Sequence, residues 1–477
     1  LGVISHQMGQ NAMARKLIRR ALAINPRLAG AYNNLGVVLQ SDGKLEHALQ
    51  SFQQSISLKP NEADPFNNMG TALHRLKRLD EALESFQQAL SISPNFSAAH
   101  NNLGLLLTDM GKFEAAIASY KNAIAANPNF ADAHNNLGGA LHELKKVEAA
   151  IESYKAAISL QSNHPTAHKN LGLLLLLTGD YRNGWEHYAW RWQDIDSGLR
   201  PRTYKEPRWE GGNLEGEHVF LYPDQGLGDF FQFVRYVPLI AGKGGKVLLE
   251  APEEIVPLLA EIGIANQVVT TGKVPPSFDF HAPLMDLPKL FGTTLDNIPS
   301  DVPYLRSAKK SREKWKKRLG KRQHFRLGIV WAGRSAHKND RNRSIEAFLF
   351  QPLTKIRGVS VYSLQVGRNG EAAKIFADTV TDIAPFLNDF ADTAAAVSNL
   401  DLVVSVDTSV AHIAGALGWP IWTLLPFVPD WRWLLERDDS PWYPTMQLFR
   451  QSERNDWKTV IERLRTELIK TAKLSRY

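Results

Sequence analysis

The hydrophobic pattern of the second half of the chain predicts strands alternating with helices. Leu402-Val403-Val404-Ser405-Val406 is an apolar, β-branched run of the kind buried on both faces of a sheet. It stops at Asp407-Thr408-Ser409, residues that start helices well. Val410 to Leu417 predicts a helix of small and apolar residues, with Gly418 as its stop, and Pro420 to Leu425 predicts the next strand. Upstream, His218 to Tyr222, Lys246 to Glu250, Val268-Val269 and Phe278-Asp279-Phe280 predict strands, with helices at Phe230 to Ala241 and Glu253 to Ile262. Leu327 to Trp331 and Val359 to Gln365 predict two more strands, and Trp457 to Ala472 a closing amphipathic helix. Strands alternating with helices predict parallel sheets, here in two halves.

The first 190 residues follow a different period. Gly36, Gly70, Gly104, Gly138 and Gly172 are spaced by 34 residues, and Gly2 fits the same register. Ala14, Ala48, Ala82, Ala116 and Ala150 lie twelve residues after a glycine; Pro26, Pro60, Pro94 and Pro128 lie twenty-four after. This is the tetratricopeptide signature. Small residues let two helices approach, proline ends the second, and each unit buries its apolar face only against its neighbours, forming a superhelix. The last units depart from the pattern, with Ser162 at the proline position and Gly184 at the alanine position. The aromatic run Trp185 to Trp192 then predicts packing against the next domain. Two residues before each glycine stands an asparagine: Asn34, Asn68, Asn102, Asn136 and Asn170. An amide offers both donor and acceptor, so the series reads either as a ladder for the backbone of an extended peptide or as a tolerated polar inner face.

Composition bounds the function. A chain of 477 residues has room for two to four domains. It has no cysteine, which excludes disulfides, thiolate metal sites and cysteine catalysis and fits a reducing cytoplasm. No apolar run approaches the roughly 18 residues of a membrane helix. The net charge of +7 makes anionic partners plausible, although an excess of this size often serves solubility alone.

The candidate chemistry lies at strand ends. The start of the helix after Asp407 offers free N–H groups to an anion such as a diphosphate, or is simply a well-capped helix. The loop Ala332 to Ser344 holds Arg334, Lys338, Arg341 and Arg343 after a glycine, which suits a phosphate. Gly226-x-Gly228 hints at a dinucleotide fingerprint, but Phe231 stands where the third glycine belongs. Lys309 to Arg326, basic around Trp315, reads as a solvated linker helix rather than a nucleic-acid surface. Asp194-Ile195-Asp196 matches an Asp-x-Asp metal pattern but follows no strand, and reads as solvated acidic residues.

Together, Gln225-Gly226-Leu227-Gly228-Asp229, Trp331-Ala332-Gly333 with Asp340-Arg341-Asn342-Arg343-Ser344, Ser363-Leu364-Gln365, Asp407-Thr408-Ser409-x-x-His412-x-x-Gly415-Ala416, Asp430-Trp431-Arg432-Trp433 and Ser440-Pro441-Trp442-Tyr443-Pro444 resemble bacterial tetratricopeptide-repeat glycosyltransferases of the two-Rossmann GT-B type and, more distantly, heptosyltransferases. With the repeats, the resemblance covers nearly the whole chain. The asparagine ladder is similar to that of protein O-GlcNAc transferases, which holds acceptor peptides. The resemblance implies a tetratricopeptide superhelix over 1–192, an acceptor-side Rossmann-like half over 193–310 and a donor-side half over 311–477. It implies an inverting, metal-independent transfer in which a nucleotide-sugar is substrate and no further cofactor is needed. Asp229 would be the general base; Asp229 also reads as the N-cap of the Phe230 helix. Thr408-Ser409 would hold the diphosphate, and Lys338, Arg341 and Arg343 would neutralise the leaving group. Gly226, Gly228, Gln365, Asp407 and His412 would complete the donor pocket, His412 reading equally as a packed helix residue. Heptosyltransferases often carry glycine where Ser409 stands, so the resemblance does not imply ADP-heptose as donor.

The expected partners are a nucleotide-sugar and a protein acceptor held at Asn34, Asn68, Asn102, Asn136 and Asn170, with no nucleic acid. The alternatives are a lipopolysaccharide or other glycan acceptor, a non-catalytic repeat scaffold with a degenerate transferase domain, and a dinucleotide-dependent enzyme.

Overall fold

The computed structural model describes residues 1–335, 339–367, 374–376 and 378–474. The chain divides into two compact units, Leu1–Leu171 and Gly172–Tyr477. The division between the units falls inside the last repeat.

The first unit is a stack of helix pairs, from Ala29–Ser41 with Leu45–Leu58 to Ala131–Glu143 with Val147–Leu160. The 34-residue signature has a direct packing cause. A Cβ on Gly36, Gly70, Gly104 or Gly138 would lie within 2.4–2.7 Å of the ring of Phe52, Phe86, Tyr120 or Tyr154, sixteen residues later. Ala48, Ala82, Ala116 and Ala150 are wholly buried. Between the two helices of each pair one residue takes positive φ. Gly43 and Gly111 do so without strain, whereas Lys77 (φ 62°) and Lys145 (φ 55°) bring side chains into that region. The asparagine series stitches repeat to repeat. The Nδ2 atoms of Asn68, Asn102, Asn136 and Asn170 donate to the Oδ1 atoms of Asn33, Asn67, Asn101 and Asn135, at 3.0, 2.9, 3.0 and 3.1 Å.

The second unit holds two parallel sheets. The first has the order β3-β2-β1-β4: β1 (His218–Tyr222), β2 (Lys246–Ala251), β3 (Gln267–Thr270) and β4 (Phe280–Pro283). The second contains β5 (Phe325–Val330), β6 (Val359–Ser363), β7 (Val380–Asp382), β8 (Leu402–Val406), β9 (Ile421–Leu425) and β10 (Met446–Arg450). Its order is β10-β9-β8-β5-β6-β7. The chain leaves β5 to one side for β6 and β7, then returns to lay β8, β9 and β10 on the other. That is the doubly wound order, whose reversal between β5 and β8 opens a crevice at the carboxyl edge. β5, β8 and β9 are buried at every position, as their continuous apolar runs require. The Trp457–Leu474 helix lays Trp457, Val460, Ile461, Leu464 and Leu468 into the core of this sheet. No helix among the described residues is long and apolar enough to cross a membrane.

Several expectations shift. The helix expected over Phe230 to Ala241 is two, Leu227–Phe233 and Val237–Gly242, joined by a 3₁₀ turn. Pro238, which lacks an N–H, sits in the first turn of the second. The strand expected at Phe278 begins at Phe280, because the Asp279 carboxylate takes the His218 N–H at 2.7 Å. Asp194 is buried rather than solvated, and its carboxylate accepts the Asp196 N–H.

Candidate functional site

A cavity of about 830 Å³ opens at the carboxyl edge of the second sheet. Its lining comes from the turns after β1 (Gly226 to Asp229), β5 (Ala332 to Ser335), β6 (Leu364 to Gly367) and β8 (Asp407 to Val410), and from the segment Leu387 to Phe390. Asp430 and Arg432, in the loop after β9, close one side. This volume falls in the range of small-molecule and cofactor pockets.

One wall favours anions. Thr408 caps the Ser409–Ala416 helix, whose first intrahelical bonds run from the Ala411 and His412 N–H groups to the Thr408 carbonyl. The Ser409 and Val410 N–H groups precede those bonds at the cavity wall. The Thr408 hydroxyl is turned away, 3.0 Å from Ser405 Oγ. Arg343 lies beside them, its Nη1 donating to the Asp407 carbonyl at 3.1 Å and its buried Nε without a hydrogen-bond partner. Gly333 makes room for that guanidinium: a Cβ there would lie 2.6 Å from Arg343 Nη2. The Gly333 N–H donates to Ser344 Oγ, which donates in turn to Asp340 Oδ1, so the loop is held by its own polar residues. Gln365 lines the cavity, but its side-chain amide serves the scaffold. Its Oε1 accepts the Trp331 and Ala332 N–H groups at 3.1 and 2.9 Å, and its Nε2 donates to the Val366 carbonyl.

The floor is a buried polar cluster. Asp407 Oδ2 accepts the Trp433 Nε1–H at 2.9 Å, and His412 Nε2 stands 3.7 Å from Asp407 Oδ1. His412 Nδ1 is 2.9 Å from the Tyr443 hydroxyl. Burial pushes the Asp407 carboxyl up, but His412 and the Trp433 N–H outweigh it and hold the group at about 2. Gly228 permits close packing here, since a Cβ would lie 2.8 Å from His412 Cδ2.

A further part of the lining is acidic around one buried cation. Arg432 donates to Asp229 Oδ1 through Nη2, to Asp430 Oδ1 through Nη1 at 2.7 Å, and to Gln232 Oε1 through Nε at 2.5 Å. Burial acts to lower its pKa, but the Asp430 and Asp229 carboxylates raise it further, so the guanidinium stays charged. Asp229 Oδ2 accepts the Gly226 N–H at 2.8 Å. Asp229 is therefore not an N-cap. It occupies the third position of the Leu227–Phe233 helix and ties back to Gly226, which takes the cap position. Behind this turn, Asp224 pairs with Arg191 at 3.0 Å, both side chains 2% exposed. Burial pushes the Asp224 carboxyl up to about 6 in spite of Arg191.

The structure therefore brings Gly226, Gly228, Asp229, Arg343, Gln365, Asp407, Thr408, Ser409 and His412 to one cavity. Arg341 is exposed and does not line it, because the one-turn helix Asp340–Arg343 turns Arg343 inward instead. Lys338 lies outside the described residues. Asn34, Asn68, Asn102, Asn136 and Asn170 sit in the first unit; the last four each donate to the preceding repeat, and the Oδ1 atoms of Asn68 and Asn136 also accept from Asn67 and Asn135. Sequence reasoning missed Arg432, Asp430 and the Leu387 to Phe390 segment as lining. The alternation of charge and tryptophan in Asp430-Trp431-Arg432-Trp433 was a signal for the first two: loop tryptophans are buried, so the charges between them must be paired. Among the described residues no group of three or more His, Asp or Glu side chains is placed to hold a metal ion.

Residues 28–95 and 101–165 each match a tetratricopeptide-repeat family model. Protein FlbA of Caulobacter vibrioides is 26% identical over 324 residues, which cover 62% of this chain and 53% of FlbA. The chain thus spans about half the length of the curated relative it matches. Solved structures that resemble parts of the chain include MamA, at 22% identity over 34% of this chain and 95% of that one, with a TM-score of 0.31. They also include PilF of Pseudomonas aeruginosa (22% identity, 42% and 90% of the two chains, TM-score 0.37). A third is PilW, a widely conserved type IV pilus biogenesis factor (24% identity, 41% and 91%, TM-score 0.38).

Proposed function

We propose that the second unit is a glycosyltransferase of GT-B type that moves a sugar from a nucleotide-sugar to a protein acceptor. One observation carries this reading: a cavity at the switch point of a doubly wound sheet whose lining combines the start of the Ser409–Ala416 helix and Arg343 with the carboxylates Asp229 and Asp430. The helix start and Arg343 suit a diphosphate. The carboxylates suit a hydroxyl that must lose a proton. An acceptor oxygen attacks the anomeric carbon as its proton passes to Asp229. The bond from that carbon to the diphosphate oxygen breaks, and the nucleoside diphosphate leaves with the electron pair, inverting the carbon. Arg343 and the helix start stabilise the charge that grows on the leaving oxygen without metal. Asp229 retains lone pairs on both oxygens beyond the bonds from Arg432 and Gly226, so it accepts the proton with its orientation already fixed.

The repeat array is a scaffold for protein interaction, and the hydrogen-bonding capacity that remains on the ladder amides suits the backbone of an extended segment. A chain without cysteine suits the cytoplasm. The test is transfer: purified protein is incubated with a panel of labelled nucleotide-sugars and candidate peptides. Release of a nucleoside diphosphate with label on the peptide supports the reading. Label moving only to a saccharide or lipid-linked glycan replaces the acceptor. Neither hydrolysis nor transfer with any donor leaves a non-catalytic scaffold.

A further inference from the structure

The Lys309–Leu319 helix and the turn after it carry all of the chain's excess positive charge. Residues 309–322 hold six lysines, three arginines and one glutamate, a net of +8 where the whole chain carries +7. The other 463 residues together carry −1. The basic residues are exposed without exception. Lys314 pairs with Asp392 at 3.1 Å and Arg322 with Asp401 at 2.8 Å. Lys309, Lys310, Arg312, Lys316, Lys317 and Lys321 make no ion pair among the described residues. The acid nearest the helix start, Glu261, is occupied by the Ala308 N–H and the Ser311 hydroxyl.

The helix is fixed to the fold through its one buried side chain. Trp315 is wholly buried and its Nε1–H donates to Asp392 Oδ1 at 2.8 Å. The apolar face is therefore already used, and the lysines project from a convex ridge about 16 Å long. Such a ridge cannot insert into a bilayer; what it can do is lie on a surface of negative charge. We propose that it docks the protein on a membrane rich in anionic lipid headgroups. The chemistry favours that occupant over nucleic acid. Lysines are hydrated point charges suited to a field of phosphates rather than to bidentate readout. A single strand needs open rings on which to stack bases, and the exposed ring beside the ridge, Phe386, is covered by the Arg318 guanidinium at 3.8 Å. This surface is independent of the transfer reaction proposed above.

The test is sedimentation of the full chain with vesicles of neutral lipid alone and of neutral lipid with about a third phosphatidylglycerol. Binding is expected only to the anionic vesicles, and it should disappear as salt rises from about 0.05 to about 0.5 M. Replacing Lys310, Lys316, Lys317 and Lys321 by glutamine should lower the partition coefficient up to about a thousandfold while tryptophan fluorescence and the thermal midpoint stay unchanged. The proposal is overturned by a variant that binds anionic vesicles as the parent does, or by a parent chain that binds neither vesicle. Tighter binding to a single-stranded RNA than to anionic vesicles at equal phosphate concentration also overturns it.

Discussion

Gly138 and Gly139 are neighbours in one helix, and alanine should act on them in opposite directions. At Gly138 a Cβ would lie 2.6, 2.8 and 3.0 Å from three ring atoms of Tyr154. Carbon atoms in contact rest about 3.5–4.0 Å apart, so the ring must move by most of an ångström. Tyr154 is 3% exposed and has no open space to enter. Overpacking of this kind costs about 1–3 kcal/mol. Alanine's better helix propensity returns about 1 kcal/mol, leaving a net loss of up to about 2 kcal/mol. At Gly139 the nearest atom to a Cβ is the Tyr154 hydroxyl at 3.9 Å, an ordinary contact. There only the propensity gain remains, about 0.5–1 kcal/mol. The propensity gain cancels between the two variants, so they should differ by the overpacking cost, roughly 1–3 kcal/mol. All twelve tryptophans lie at residue 185 or later, so tryptophan fluorescence in urea follows the second unit, and the part of the far-UV circular-dichroism transition that does not coincide with it reports the repeats. The circular-dichroism midpoint should fall for Gly138→Ala and rise for Gly139→Ala, with the fluorescence transition unmoved. Equal shifts of one sign would refute the claim that the 34-residue glycine exists to admit the aromatic ring.

Three further outcomes follow from the geometry. Asp407 has a folded-state pKa of about 2, below its ordinary 3.8, so its contribution is complete above about pH 4 and lost as pH falls through 2. Asp407→Asn should therefore remove about 2 kcal/mol at neutral pH and flatten the stability profile of the second unit in acid, as read by tryptophan fluorescence. Arg432→Leu leaves Asp229 and Asp430 without their shared cation and should destabilise the second unit by about 3 kcal/mol, read as a lower midpoint of the tryptophan-fluorescence transition in urea. Lys145→Gly relieves a left-handed side chain at a position where Gly43 and Gly111 stand in other repeats, and should raise the repeat midpoint by up to about 1 kcal/mol.

What the sequence made legible was whatever repeats or runs. Gly36 through Gly172 announced the helix pairs because one packing constraint recurs every 34 residues. Leu402 to Val406 announced β8 because a strand buried on both faces has no polar alternation. Asp407, Thr408 and Ser409 were legible together because they form one strand-end turn, where an apolar run gives way to helix-starting residues. The rest depended on distances that no local pattern encodes. Arg432 reaches Asp229 across 203 residues. Gln365 looked like a ligand-binding amide, but its partners are backbone N–H groups 33 and 34 residues away. The asparagine series was visible, but not that Asn68, Asn102, Asn136 and Asn170 each bond the previous repeat. That register, one residue out from the helix period of the preceding unit, exists only once the repeats are stacked.

The most direct measurement is calorimetric titration of the full chain with UDP, GDP, ADP and CMP, repeated for Arg343→Ala. The expected result is saturable binding of one nucleoside diphosphate, weakened at least about tenfold in the variant, since Arg343 places a half-buried guanidinium at the diphosphate wall. Binding of none of the four, or binding that Arg343→Ala leaves unchanged, would contradict the assignment of the cavity to a nucleotide-sugar.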